Sequence, residues 1–112
     1  MTVRTEVSEQ GGSLTLWVEG DFDFAAQRQF ELLYRSPAVR PTRFIVDFSN
    51  CTRIDSAALG LLLLLRDYAG AGAGAGAGYA GAEPARILLR NCSPYCRRIL
   101  DVANFLQLFD IS

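Results

Sequence analysis

Residues 2 to 8, Thr-Val-Arg-Thr-Glu-Val-Ser, alternate polar and apolar positions, the period-two pattern of a half-buried strand. Gly11-Gly12 supplies a turn, after which Leu14, Leu16 and Val18 resume the alternation in a second strand ending at Gly20, so the pair reads as a hairpin. Gly20-Asp21-Phe22-Asp23 then reads as a loop in which Asp23 can cap a helix from Phe24 to about Arg35. Within that helix Ala26, Phe30, Leu33 and Tyr34 fall at i, i+4, i+7 and i+8, one apolar stripe, and Pro37 prevents continuation. The period shortens again at Arg43 to Phe48, whose apolar run suits a third strand buried on both sheet faces.

A tight polar loop follows, and a second helix is expected from Ser56 to about Tyr68. Leu59, Leu62, Leu63 and Arg66 share one side of it, and Leu61, Leu64 and Leu65 widen the apolar surface beyond a single stripe. Such a helix packs hard against a sheet, or presents leucines to a partner. Residues 69 to 84 are an Ala/Gly-rich insertion. Continuing a helix through it would cost roughly 1 kcal/mol per glycine relative to alanine, so a flexible exposed loop is expected. Ala85 to Arg90 forms a fourth strand. Ser93 then serves as N-cap and Pro94 as the first residue of a third helix reaching about Asn104, with Ile99, Leu100 and Ala103 on its apolar face. Leu106 to Ile111 closes the chain in a short β-like segment. Strands and helices alternate after the hairpin, which is the order of an α/β fold.

With 112 residues the chain is read as one domain, residues 1–112, able to form one hydrophobic core. Its net charge of −1 offers no basic stripe, which argues against direct nucleic-acid binding. All eleven basic residues are arginine, and there is neither histidine nor lysine. Arginine does not deprotonate at working pH, so the side chains most used as general base or Schiff-base nucleophile are missing. Ser/His/Asp and Cys/His catalysis within one subunit are excluded. No catalytic residue and no cofactor are expected. Cys51, Cys92 and Cys96 are too few and too dispersed for a disulfide framework, and no further soft ligand accompanies them, so no metal site is expected either. The thiols are expected buried and reduced. An N-terminus with Glu6 and Glu9 and no apolar run is not a signal peptide. Leu59 to Leu65 is far short of the roughly 20 apolar residues of a membrane span, so no membrane insertion and a cytoplasmic location are expected.

One segment carries candidate chemistry. Asp47-Phe48-Ser49-Asn50-Cys51-Thr52-Arg53-Ile54-Asp55-Ser56-Ala57-Ala58-Leu59-Gly60 sets a hydroxyl at a helix N-terminus, where free N–H groups and the positive dipole end favour negative charge. Phosphorylation there adds about −1.5 to −2 charge. From local chemistry alone, Asp55 or Ser56 serves equally well as a simple N-cap.

The segment resembles the STAS domain of bacterial anti-sigma factor antagonists, in which a strand ending Asp-x-Ser leads to Ile-Asp-Ser-(Ser/Thr/Ala)-(Gly/Ala)-Leu-Gly. The resemblance extends along nearly the whole chain. Gly20-Asp21-Phe22-Asp23 resembles the family's Gly-x-(Leu/Phe)-Asp turn, Asp47-Phe48-Ser49 its strand end, and Ile87-Leu88-Leu89-Arg90-Asn91-Cys92-Ser93 its strand followed by a capped helix. It implies a STAS-like α/β domain, a mixed sheet of about four to five strands with helices packed against it. It also implies a phosphorylation-controlled partner switch. In such proteins a serine kinase that doubles as anti-sigma factor phosphorylates the serine matching Ser56, the phosphorylated antagonist releases the kinase, and a serine phosphatase resets it. The partner-binding surface then comprises Asp21, Asp23, Asn50, Arg53, Asp55, Ala57 and Gly60, while Arg97 and Arg98 on the third helix lie outside it. Ala57 replaces a second hydroxyl common in the family, and Ala58 its usual glycine. The leucine-rich second helix also leaves room for a homodimer. The alternative is a non-phosphorylated STAS interaction subunit of a transporter or other regulatory complex.

Overall fold

The computed structural model describes residues 2–7, 12–23, 25, 27–35, 42–70 and 86–112. A five-stranded sheet runs in chain order: β1 (Thr2–Val7), β2 (Ser13–Phe22), β3 (Arg43–Ile54), β4 (Arg86–Arg90) and β5 (Asp110–Ile111). β1 and β2 pair antiparallel, as the alternation across the glycine turn requires, and β2 to β5 are parallel neighbours. The connections carry α1 (Gln27–Tyr34), α2 (Ser56–Gly70) and α3 (Pro94–Val102), with a 3-10 turn at Phe105–Gln107 before β5. This is a mixed sheet with helices, as expected from the sequence.

Strand alternation builds the core. Leu14 pairs with Phe44 and Leu16 with Val46, while Phe44 pairs with Ile87 and Val46 with Leu89, so these inward residues form rows across the sheet. Phe30 and Tyr34 from α1, Leu61, Leu62 and Leu65 from α2, and Cys96 and Leu100 from α3 close over them in one cluster. Aromatic rings link the layers: Phe22 and Phe30 lie 5.1 Å apart, Phe30 and Tyr34 5.4 Å. Each fully buried Leu or Phe contributes about 1.5–3 kcal/mol relative to exposure. All three helices contribute to this one cluster. Thr15, Trp17, Ile45, Asp47 and Leu88, at the alternate strand positions, are not part of this cluster.

Element boundaries differ from the sequence expectation in five places. β2 continues through Asp21 to Phe22, and β3 continues through the polar stretch 49–53 to Ile54. Burial of Phe22 and Ile54, which pair with each other, pulls what read as two loops into the sheet. α2 extends to Gly70, because Ala69 lies four residues after Leu65 on the buried stripe and is itself 1% exposed. The first two residues of the expected loop insertion are therefore helical; residues 71–85 lie outside the described residues, as do Phe24 and Ala26 of the expected first helix. α3 stops at Val102, and Asn104, in the left-handed region at φ 63°, turns the chain into the 3-10 segment. Phe105 and Phe109 then stack, 5.3 Å apart, in place of the continuous β-like end that the sequence suggested.

Candidate functional site

The parallel pairing of β2 and β3 determines where the candidate residues meet. Phe22 and Ile54 are register partners at the ends of their strands, so the Asp23 turn and the Asp55-Ser56 helix start emerge side by side. In parallel α/β sheets this carboxyl end of the strands is where ligands and partners are received. β3 reaches the site by an overhang. Its last pair with β4 is Asp47–Arg90, and residues 48–54 beyond it are laddered only to β2. Between Trp17 and Phe22, β3 uses two more residues than β2, and the register shifts twice. Gly20 sits at one shift with φ 82°, a conformation that favours glycine and lets β2 follow the bend.

At the helix start the two possible caps resolve. Asp55 Oδ1 accepts from the Ala58 N–H at 2.9 Å, and the Asp55 carbonyl accepts from the Leu59 N–H at 3.1 Å. Asp55 is thus the N-cap, and Ser56 is the first residue of a 15-residue helix. Ser56 is exposed, and its hydroxyl makes no hydrogen bond among the described residues. Its oxygen is free for chemistry without loss of the cap.

The remaining predicted residues surround this point unevenly. Asp21 accepts from Thr52 Oγ1 at 2.9 Å and faces the Arg53 guanidinium at 3.7 Å. Arg53 therefore lies in solvent, its side chain 64% exposed, but loosely paired rather than alone; such exposed pairs contribute little to stability. Asp23 accepts from the Ala25 N–H at 3.0 Å, a local turn at the mouth of the site. Asn50 is exposed opposite Glu19. Ala57 and Gly60 are half-buried on α2, and a methyl group added at Gly60 would meet no atom within 4 Å. By helical spacing Ser56, Gly60, Leu63 and Asp67 share the outward side of α2, the side opposite Ala58, Leu61, Leu62 and Leu65.

Beneath the site is a node that sequence reasoning missed. Asp47 is 2% exposed. Its Oδ1 accepts from the Ser49 N–H at 2.8 Å, and its Oδ2 from Arg90 Nε and Asn91 Nδ2, both at 2.9 Å. Burial disfavours the charged carboxylate, but the hydrogen bonds from Ser49, Arg90 and Asn91 outweigh it and hold the group below its ordinary range. Asn91 contributes from a left-handed backbone at φ 58°, a conformation asparagine tolerates. The signal was available: an acidic residue enclosed between Val46 and Phe48 in an apolar strand needs partners.

Cys51, on β3, approaches Cys96, as does Cys92 four residues before it. Burial pushes the thiols of Cys51 and Cys92 up to about 11, and neighbouring Cys96 adds to both shifts. All three are free thiols. Such raised values leave little thiolate and mark packing groups rather than nucleophiles. Among the described residues no group of three or more His, Cys, Asp or Glu is arranged to hold a metal ion, and no helix is long and apolar enough to cross a membrane.

The fold agrees with what the chain is similar to. A family profile described as "Mlab, STAS domain" matches residues 5–110. A STAS-domain containing protein of Pseudomonas aeruginosa (strain UCBPP-PA14) is 45% identical over 112 residues, spanning 100% of both chains. Among solved structures, the anti-sigma factor antagonist SpoIIAA in its unphosphorylated form aligns with TM-score 0.68 at 20% identity, over 99% of this chain and 87% of that one. A sulfate transporter family protein from Wolinella succinogenes aligns with TM-score 0.65 at 17% identity, over 91% and 74%.

Proposed function

The chain belongs to the STAS family, and we propose that it is an anti-sigma factor antagonist that switches partners through phosphorylation of Ser56. Like the antagonists whose fold it shares, it is a non-enzymatic regulatory protein. One observation carries the switch: Asp55 caps α2, which leaves Ser56 exposed and its hydroxyl unengaged at the helix start. Unphosphorylated, the end of the sheet around Asp21, Asp23, Asn50, Arg53, Asp55, Ala57 and Gly60 binds a serine kinase that is also the anti-sigma factor. Phosphorylation places about two negative charges beside the Asp55 carboxylate. The helix dipole tolerates them in the monomer, but an interface closing over both groups meets like-charge repulsion and a desolvation cost. The complex opens, and a serine phosphatase restores the first state. This cycle operates in the cytoplasm.

The solved sulfate transporter family protein fits a second reading, in which the same surface binds a transporter or other regulatory complex without modification. Incubation with histidine-kinase-like ATPases and ATP, followed by intact mass and peptide mapping, separates the two. The switch requires one added phosphate on Ser56, none on Ser56→Ala, and a weakened complex for Ser56→Asp. Phosphate on Ser49, Thr52 or Ser93 with none on Ser56 removes the assignment.

A further inference from the structure

A second surface lies beside the switch. Between α2 and α3 runs a groove of about 460 Å³, lined by Leu59, Tyr95, Arg98, Ile99, Val102 and Ala103. Five of these six are apolar, and Tyr95 and Val102 remain 49% and 79% exposed. Leu63, one turn beyond Leu59, adds a further leucine that is 39% exposed. Leu59, Ile99 and Ala103 pack partly against the core and form the floor, while Tyr95, Val102 and Leu63 stand outside it. Arg98 stands in this apolar wall without an ion-pair partner among the described residues.

We propose that this groove receives an amphipathic helix from a partner protein, with apolar residues on the groove floor and a carboxylate against Arg98. Both walls are helices, and on α3 the lining from Tyr95 to Val102 spans roughly 10 Å at 1.5 Å per residue. That length suits a guest helix of two to three turns, read as anchors at i, i+3, i+4 and i+7. Charge selects the occupant. An acidic flank on the guest gives Arg98 a charge-assisted contact at the edge of an apolar patch. Neither Arg98 nor the groove belonged to the surface expected from sequence, and the inference does not depend on Ser56 being phosphorylated.

The test uses the full chain, isotope-labelled, and two synthetic helical peptides with the same leucine stripe, one flanked by glutamates and one by lysines. The glutamate peptide should bind about tenfold more tightly, the expected worth of one good charge-assisted contact, and shift the amides of Leu59, Tyr95, Ile99 and Val102. Arg98→Glu should invert the preference between peptides. Val102→Asp, at a position exposed enough to leave folding intact, should abolish both complexes. Equal binding of the two peptides, no binding, or shifts mapping to another face overturns the proposal. So does movement of the groove resonances with protein concentration alone, which would give the groove to a second copy.

Discussion

Exchanging the two residues at the start of α2 separates structure from signalling. Asp55 supplies the cap: its carboxylate takes the Ala58 N–H at 2.9 Å, in the first turn where the dipole rewards negative charge. Asp55→Ala therefore loses about 1 kcal/mol of capping and about 0.5 kcal/mol of charge–dipole interaction, near 1.5 kcal/mol in all. For 112 residues, with an unfolding entropy of about 2.1 cal/mol/K per residue, that lowers Tm by about 6 °C. Ser56→Ala removes an exposed hydroxyl that bonds to nothing among the described residues, and its stability should stay within about 0.5 kcal/mol of wild type. Asp55→Asn keeps an acceptor oxygen and loses only the charge, so it should fall between them. Urea denaturation with unchanged m-values and calorimetric melts measure all three. If Ser56→Ala costs as much as Asp55→Ala, the cap resides on the serine, and the argument that its hydroxyl is free for phosphorylation fails.

Two further expectations follow from the same geometry. Asp47→Asn should cost about 2 kcal/mol at pH 7, a figure kept low because the Arg90 side chain is 34% exposed and rehydrates. Because the folded carboxyl titrates below its unfolded value, wild-type stability from this group is present above about pH 4 and lost as pH falls through the folded-state range. The gap to the variant should therefore shrink toward pH 3 in urea titrations, and a pH-independent gap would show that the ionised carboxylate is not the cause. Gly60→Ala, on α2 with no atom within reach of the added methyl, should raise stability by about 1 kcal/mol. A loss instead would mean that α2 packs more closely there than described.

The fold was legible because its period changes coincide with its elements. Hairpin alternation, an apolar third strand and the Ser93-Pro94 helix start were all readable, and the Ser93 hydroxyl does cap α3 by accepting from the Cys96 N–H at 3.1 Å. Boundaries failed where tertiary partners overrode local chemistry. The polar run 49–53 looks like a loop until Thr52 and Arg53 find Asp21 across the sheet. Cap choice between Asp55 and Ser56 was undecidable from types alone, since both are favoured caps; only the bond to Ala58 decides it. The groove was hidden for a different reason. Leu59 and Val102 lie on separate helices, and no periodicity in either reports the space between them.

The overhang of β3 has a consequence for how the site breathes. Amides of residues 44–47 lie in strand segments laddered on both sides, while those of 50–54 have a ladder to β2 alone. Opening the latter breaks fewer backbone bonds and leaves the Asp47 node closed, so its free energy should fall well below that of global unfolding. Native-state hydrogen exchange would then resolve two cooperative units, a slow sheet centre and a faster tip carrying the start of α2. A kinase needs a serine that can be drawn into an active-site cleft. A tip able to open on its own can be drawn in while the centre of the domain stays folded.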